Sequence, residues 1–252
     1  MVARLAKRAF REREHSFVAE GPQAVREALA SPGVVREVYV TRPAAERHAD
    51  MLDAADCPIR LVSGEVATAL SATVTPQGIL AVCRFVHVEL DSVLAAEPSL
   101  VAILAQVRDP GNAGTILRCA DAAGADAVLF SDASVDVYNS KCVRASAGSL
   151  FHLPVVVGVP LPIAVARLRR SGLRVLAADG YGSVELPQVV TSGELAEPTS
   201  WLFGNEAWGL PADTRKLADQ VVRVPVYGRA ESLNLATAAA VCLYASATAQ
   251  HA

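Results

Sequence analysis

The chain has 252 residues, 52% of them hydrophobic and 19% charged, with a formal net charge of −3. No apolar run reaches the roughly 18–20 residues that span a bilayer, and no signal-peptide core follows the basic N-terminus, so a soluble cytoplasmic protein is expected. The charge balance excludes a uniformly basic nucleic-acid footprint, since residues 1–98 carry 11 Lys and Arg against 13 Asp and Glu and the remainder 12 against 13.

Residues 1–30 read as two helices around a short apolar element. The first is basic, with Arg4, Lys7, Arg8, Arg11 and Arg13 inside ten residues. That is either a local nucleic-acid patch or a solvated helix end. Phe17-Val18-Ala19 follows, and Pro22 is placed to open a helix running to residue 30. Ser31-Pro32-Gly33 ends it. A strand over 34–40, a helix over 44–55 and a strand over 59–62 come next. Ser63 is placed to cap a helix over 65–71. A turn at 75–78 and a strand over 79–85 close a small α/β unit, residues 1–85, and residues 86–98 read as a linker.

The alternation then restarts in a second domain, residues 99–252, with longer Val- and Leu-rich strands of the kind buried in parallel sheets. A strand over 100–105 runs through the loop Asp109-Pro110-Gly111-Asn112-Ala113-Gly114 into a helix over 115–123, with Gly124 as C-cap. Strands over 127–130, 155–157 and 173–177 alternate with helical stretches near 140–147 and 162–171.

Two later segments look like one site. Trp201-Leu202-Phe203 breaks into Gly204-Asn205-Glu206-Ala207-Trp208-Gly209. The strand at 221–224 breaks into Pro225-Val226-Tyr227-Gly228, followed by Glu231-Ser232-Leu233-Asn234-Leu235-Ala236. On neighbouring strands of an open α/β sheet such breaks lie where ligands bind. Glycines 204, 209 and 228 permit close backbone approach or positive φ. The closing helix, 232–249, is apolar on nearly every face. That predicts burial on all sides, in part against a second copy of the chain.

Each polar residue also has a plain reading. Ser232 could simply cap the last helix and Asn234 lie in its first turn. Glu206 could cap the turn before Pro211, and Arg118 could pair with Asp121. The loop at 109–114 matches neither the dinucleotide nor the P-loop fingerprint, which argues against a nucleotide-dependent oxidoreductase. There is no G-x-S-x-G elbow. The five histidines and five cysteines show no metal-ligand spacing, so no metal is expected. The scattered thiols fit a reduced state.

Together, however, the blocks Asp109–Arg118, Leu202–Leu210 and Val224–Ala236 resemble, in order and spacing, the three motifs of the SpoU (TrmH-type) RNA ribose 2'-O-methyltransferases of the SPOUT superfamily. The N-terminal unit, with Glu20-Gly21 and Thr75-Pro76-Gln77-Gly78-Ile79, resembles their ribosomal-protein-like substrate-binding domain. The resemblance implies a smaller α/β RNA-binding domain before an α/β domain tied in a trefoil knot, and a homodimer formed through that knot. It implies S-adenosyl-L-methionine held by Leu202, Phe203, Gly204, Asn205, Gly209, Val224, Pro225, Ser232, Leu233 and Ala236. It implies Asn112, Arg118, Glu206, Ser232 and Asn234 as catalytic positions. Two roles for Arg118 stay open: activating the ribose hydroxyl, or gripping the substrate phosphate while a neighbouring group takes the proton. The expected substrate is RNA, 23S ribosomal RNA ahead of transfer RNA because the N-terminal unit adds a contact surface. A non-catalytic RNA binder is the competing class, and the set of five polar residues speaks against it.

Overall fold

The computed structural model describes residues 2–252, and its contacts divide the chain into two units. The first holds the residues up to Val86 together with Asp136–His152; the second holds His87–Val135 and Leu153–Ala252.

In the first unit a basic helix α1 (Arg8–Glu14) leads into β1 (Ser16–Glu20), and Pro22 opens α2 (Pro22–Ala30). β2 (Val35–Thr41) is followed by α3 (Arg42–Arg47) and α4 (Ala49–Asp53). These replace the single expected helix, because His48 between them leaves helical geometry (φ −121°). β3 (Ile59–Val62), α5 (Gly64–Leu70) and β4 (Ile79–Arg84) complete the set, with Ser63 capping α5 through the Val66 N–H. The strands order β1-β4-β2-β3, β4 running antiparallel to both neighbours and β3 parallel to β2. Arg11 of the basic stretch is a correction to the surface-patch reading. Its guanidinium is buried, donates to the Leu5 and Ala6 carbonyls and pairs with Asp136 at 2.5 Å. A buried guanidinium stays only where its donors are satisfied, so Arg11 ties the N-terminus to this unit.

The second unit begins with α6 (Leu90–Ala95), a helix inside the expected linker, and β5 (Leu100–Leu104). α7 (Pro110–Ala122) starts five residues before the expected point, since Asp109 already serves as N-cap and Pro110 as the first helical residue. β6 (Ala127–Ser131) comes next; the helix α8 (Ser140–Ala145) counts with the first unit. Then follow β7 (Val155–Val159), α9 (Leu161–Arg170), β8 (Arg174–Ala178), a short β9 (Val184–Glu185) with α10 (Leu186–Thr191), β10 (Thr199–Phe203), α11 (Ala212–Arg215), β11 (Gln220–Arg223) and α12 (Leu235–Gln250).

Seven strands make an all-parallel sheet in the order β7-β6-β5-β10-β8-β11-β9. Every residue of β5, β6 and β10 is buried, as a parallel sheet covered on both faces requires. One face packs Val101, Ile103, Leu129, Val175 and Leu202 against α6 and α9. The other meets α7 and α12, where the buried Trp201 indole donates to Ser246 Oγ at 2.8 Å. α12 buries one face, through Ala236, Ala239, Cys242, Leu243 and Ser246, rather than all sides, and Val241 (41% exposed) and Tyr244 (49%) leave an apolar stripe open.

Candidate active site

Three parallel strands end together in the second unit: β10 at Phe203, β8 at Ala178 and β11 at Arg223. The order is β10-β8-β11, so β8 separates the two strands that sequence reading had as neighbours. The correction adds a third lip, Asp179-Gly180-Tyr181. The three loops enclose a cavity of about 730 Å³, within the range of small-molecule sites. Of the expected cofactor residues, Phe203, Gly204, Asn205, Gly209, Val224, Pro225, Ser232 and Leu233 line it. Leu202 and Ala236 do not. Leu202 points into the apolar core one residue earlier on β10, and Ala236 is buried in the first turn of α12.

The lip after β10 is a tight turn. Asn205 and Gly209 exchange backbone bonds of 2.9 Å in both directions, and the Asn205 side chain holds the Gln106 carbonyl and the Ala207 N–H. The approach is so close that a Cβ on Gly204 would lie 2.5 Å from the Gly209 carbonyl oxygen. Gly209 has φ +64°, and a side chain there would meet the Asp179 carboxylate at 2.9 Å.

Asp179, which sequence reading missed, joins the lips. Its side chain is 3% exposed; it accepts from the Leu210 N–H and the Tyr181 N–H, both at 2.9 Å, and pairs with Arg215 at 3.4 Å. The Arg215 guanidinium in turn lies 5.1 Å from the centre of the Tyr181 ring. The only sequence signal was an Asp-Gly step after an apolar strand.

Glu206, Asn112 and Asn234 meet, though 122 residues separate the asparagines. The Glu206 carboxylate accepts from the Asp109 N–H (3.1 Å), the Arg108 N–H (3.3 Å) and Asn112 Nδ2 (3.3 Å). It therefore caps the approach to α7, where the positive end of a helix favours an anion, rather than the turn before Pro211. Asn234 Nδ2 donates to Asn112 Oδ1 at 3.0 Å. Asn234, not Ser232, is the N-cap of α12, accepting from the Ala236 and Thr237 N–H groups. Ser232 is left exposed on the cavity wall, where Glu206 also lies. Arg118 lies apart, exposed on α7 and outside the cavity lining. Among the described residues it makes no hydrogen bond or ion pair, the Asp121 pair included.

No thiol nearby is set up as a nucleophile. Burial pushes the Cys242 thiol above its ordinary range. Cys119 is also pushed up by burial, against the opposing pull of the Arg118 charge.

A glycine-lipped cavity at the carboxyl ends of a parallel sheet, with Glu206 in its wall and Asn112 and Asn234 linked to that carboxylate in a chain, defines a ligand-binding site of an α/β protein. The comparisons specify it. Residues 99–244 match the family described as SpoU rRNA Methylase, and residues 1–81 the MRM3-like substrate binding domain. The chain belongs to the SpoU rRNA methylase family. It is 37% identical over 237 residues to the 23S rRNA (guanosine(2553)-2'-O)-methyltransferase RlmP of Bacillus subtilis (strain 168), spanning 93% of this chain and 89% of that protein. Among solved structures it resembles the SpoU methyltransferase AviRb from Streptomyces viridochromogenes in complex with AdoMet (TM-score 0.86, 30% identity, 98% of this chain and 95% of that one). It also resembles an AdoMet-bound rRNA methyltransferase from Sinorhizobium meliloti (TM-score 0.82, 29% identity, 97% and 92%).

Proposed function

We propose that this protein transfers a methyl group from S-adenosyl-L-methionine to a ribose 2'-hydroxyl of 23S ribosomal RNA. The observation that carries the proposal is that the second and third motif blocks line one cavity and the first is tied to both, Asn112 bonding Glu206 on one side and Asn234 on the other. The cavity suits the donor. Its walls mix apolar groups (Phe203, Val224, Leu233) with close-packed backbone, and Glu231 offers negative charge to a cationic ligand, Glu185 being paired with Arg223. When bound, the donor supplies an electrophilic methyl on a sulfonium that carries its own leaving group.

The chain's part is positioning. Glu206 fixes the N-terminal approach to α7 against the motif-two turn, and the Asn112–Asn234 bond sets α12 against α7. The Arg118 guanidinium, exposed and unpaired among the described residues, has free donors for bidentate grip on a phosphate, which would orient the nucleotide. We read this as its role, in preference to proton abstraction.

The resemblance to the rRNA-modifying relatives supports ribosomal over transfer RNA, and the first unit would supply further RNA contacts. The insertion of β10 between β5 and β8, followed by the return of α12 across the sheet, supports the trefoil-knotted path. The Val241–Tyr244 stripe on α12 supports a homodimer, and the likeness to bacterial rRNA-modifying enzymes supports work in the cytoplasm. The test is transfer of labelled methyl to purified ribosomal and transfer RNA, with mapping of the modified ribose and sedimentation of the protein. One modified 2'-oxygen in 23S RNA, made by a dimer, is expected. Label in transfer RNA alone overturns the substrate, and failure to bind the donor overturns the enzyme.

A further inference from the structure

Trp208 borders the cavity, but the needs of a donor site do not account for how far it stands out into solvent. Its backbone belongs to the tightly bonded turn closed by Asn205 and Gly209, yet 51% of the residue stands in solvent. A large aromatic held outward on a rigid turn forgoes burial, its usual source of stabilisation. The indole is not alone. The Arg108 guanidinium lies over its ring at 5.7 Å from the centroid. Each is held at its backbone: the Arg108 N–H donates to Glu206, and Trp208 lies in the turn that the Asn205–Gly209 bonds close. Two planar groups, one π-rich and one cationic, are therefore fixed beside each other where the cavity wall meets the Asn112–Asn234 pair. Elsewhere in the wall Glu185 and Asp179 are already paired with Arg223 and Arg215, so neither arginine is left free there for a phosphate.

We propose that Trp208 and Arg108 form a stacking platform for an unstacked nucleobase of the RNA substrate, the indole meeting the base face and the guanidinium its adjoining phosphate. A single-stranded or extruded base is recognised chiefly through its π-face, with arginine supplying cation–π and phosphate contact. This rests on the reading of the site as an RNA methyltransferase centre.

Two measurements on the full-length protein test it, with protein-free 23S RNA as probe. The chain has only two tryptophans, and Trp201 is fully buried. RNA should therefore quench the emission of the wild type and leave that of Trp208→Phe unchanged. In methyl transfer, Trp208→Ala should raise KM for RNA on the order of tenfold or more, and Trp208→Phe should restore most of the loss. Arg108→Ala, which keeps the backbone bond to Glu206, should raise KM less. The dissociation constant for S-adenosyl-L-methionine should change far less than KM for RNA, although Trp208 borders the cavity, and the sedimentation coefficient should not move. A parallel loss of donor affinity would make Trp208 a wall of the donor site, and a shift in sedimentation would make a second copy its cover; either result overturns the platform. So does an unchanged KM. Wild-type protein that binds the donor but methylates no RNA would instead strike the underlying reading, and the platform with it.

Discussion

The carboxylate of Asp179 offers the most direct check on how the cavity is built. It accepts two charge-assisted backbone bonds at 2.9 Å, from the N–H of buried Leu210 and from the N–H of Tyr181, a residue 83% exposed. Bonds of this kind contribute about 1.5–3 kcal/mol each. The Arg215 pair, at 3.4 Å with the arginine 28% exposed, adds less. Asp179→Asn keeps the shape but turns an amide N–H toward one of the two backbone donors, so the loss is at least one bond, about 2–3 kcal/mol. Asp179→Ala loses both and leaves the N–H of buried Leu210 without a partner, while water can reach that of Tyr181, about 2–4 kcal/mol in all. If the lips relax while the sheet holds, the loss appears as weaker donor binding, tenfold for each 1.4 kcal/mol. If they cannot relax alone, it appears as a urea midpoint lower by about 1 M or more. Both routes are measurable. Titration calorimetry reads the first, and tryptophan fluorescence the second, because Trp201 and Trp208 both belong to the second unit. Asp213→Ala serves as control, since Asp213 is exposed and paired only with the exposed Lys216. Donor affinity and midpoint both within control values for Asp179→Ala would refute the idea that this carboxylate holds the lips.

Arg118→Ala should lower kcat by roughly 10²-fold or more while donor affinity stays unchanged; a matching loss of donor affinity would contradict its placement outside the cavity. Gly204→Ala should abolish donor binding without unfolding the first unit, because its Cβ would lie 2.5 Å from the Gly209 carbonyl oxygen; calorimetry with wild-type affinity would show that the turn can shift. In the first unit, burial works against the Glu20 charge. Hydrogen bonds from Ser71, Thr73 and the Ala72 N–H, with the Arg144 charge, nevertheless hold its pKa below the ordinary 4.5. A group depressed on folding stabilises above its unfolded pKa and loses that contribution as pH falls through the folded value. Amide protection of β1 should accordingly be steady above the ordinary carboxylate range and fall below it. Glu20→Gln should flatten that fall, and an unaltered profile would remove Glu20 as its source.

What could be read from the chain divides by distance along it. Glu206, Asn112 and Asn234 were found because each lies in a short string whose neighbours identify it. Their strands were found because Val- and Leu-rich runs need no distant information. Local rules went wrong where two of them competed. Gly111 and Gly114 suggested a loop where Asp109 and Pro110 had already begun α7. Ser232 and Asn234 are both good caps, and only the Asn234 side chain reaches the Ala236 and Thr237 N–H groups. Strand order was not readable at all. β10 pairs with β5 across about a hundred residues, and β8 with both β10 and β11; periodicity records which face of a strand is buried, not which strand lies beside it. Asp179 stayed hidden for the same reason. An aspartate after a strand looks like any turn residue until the Leu210 and Tyr181 N–H groups converge on it. The polar residues that the motifs single out are thus written locally, while the groups that hold them in place depend on which loops the sheet brings together. A substitution such as Asp179→Ala, outside every motif, can therefore remove the site as completely as one inside it.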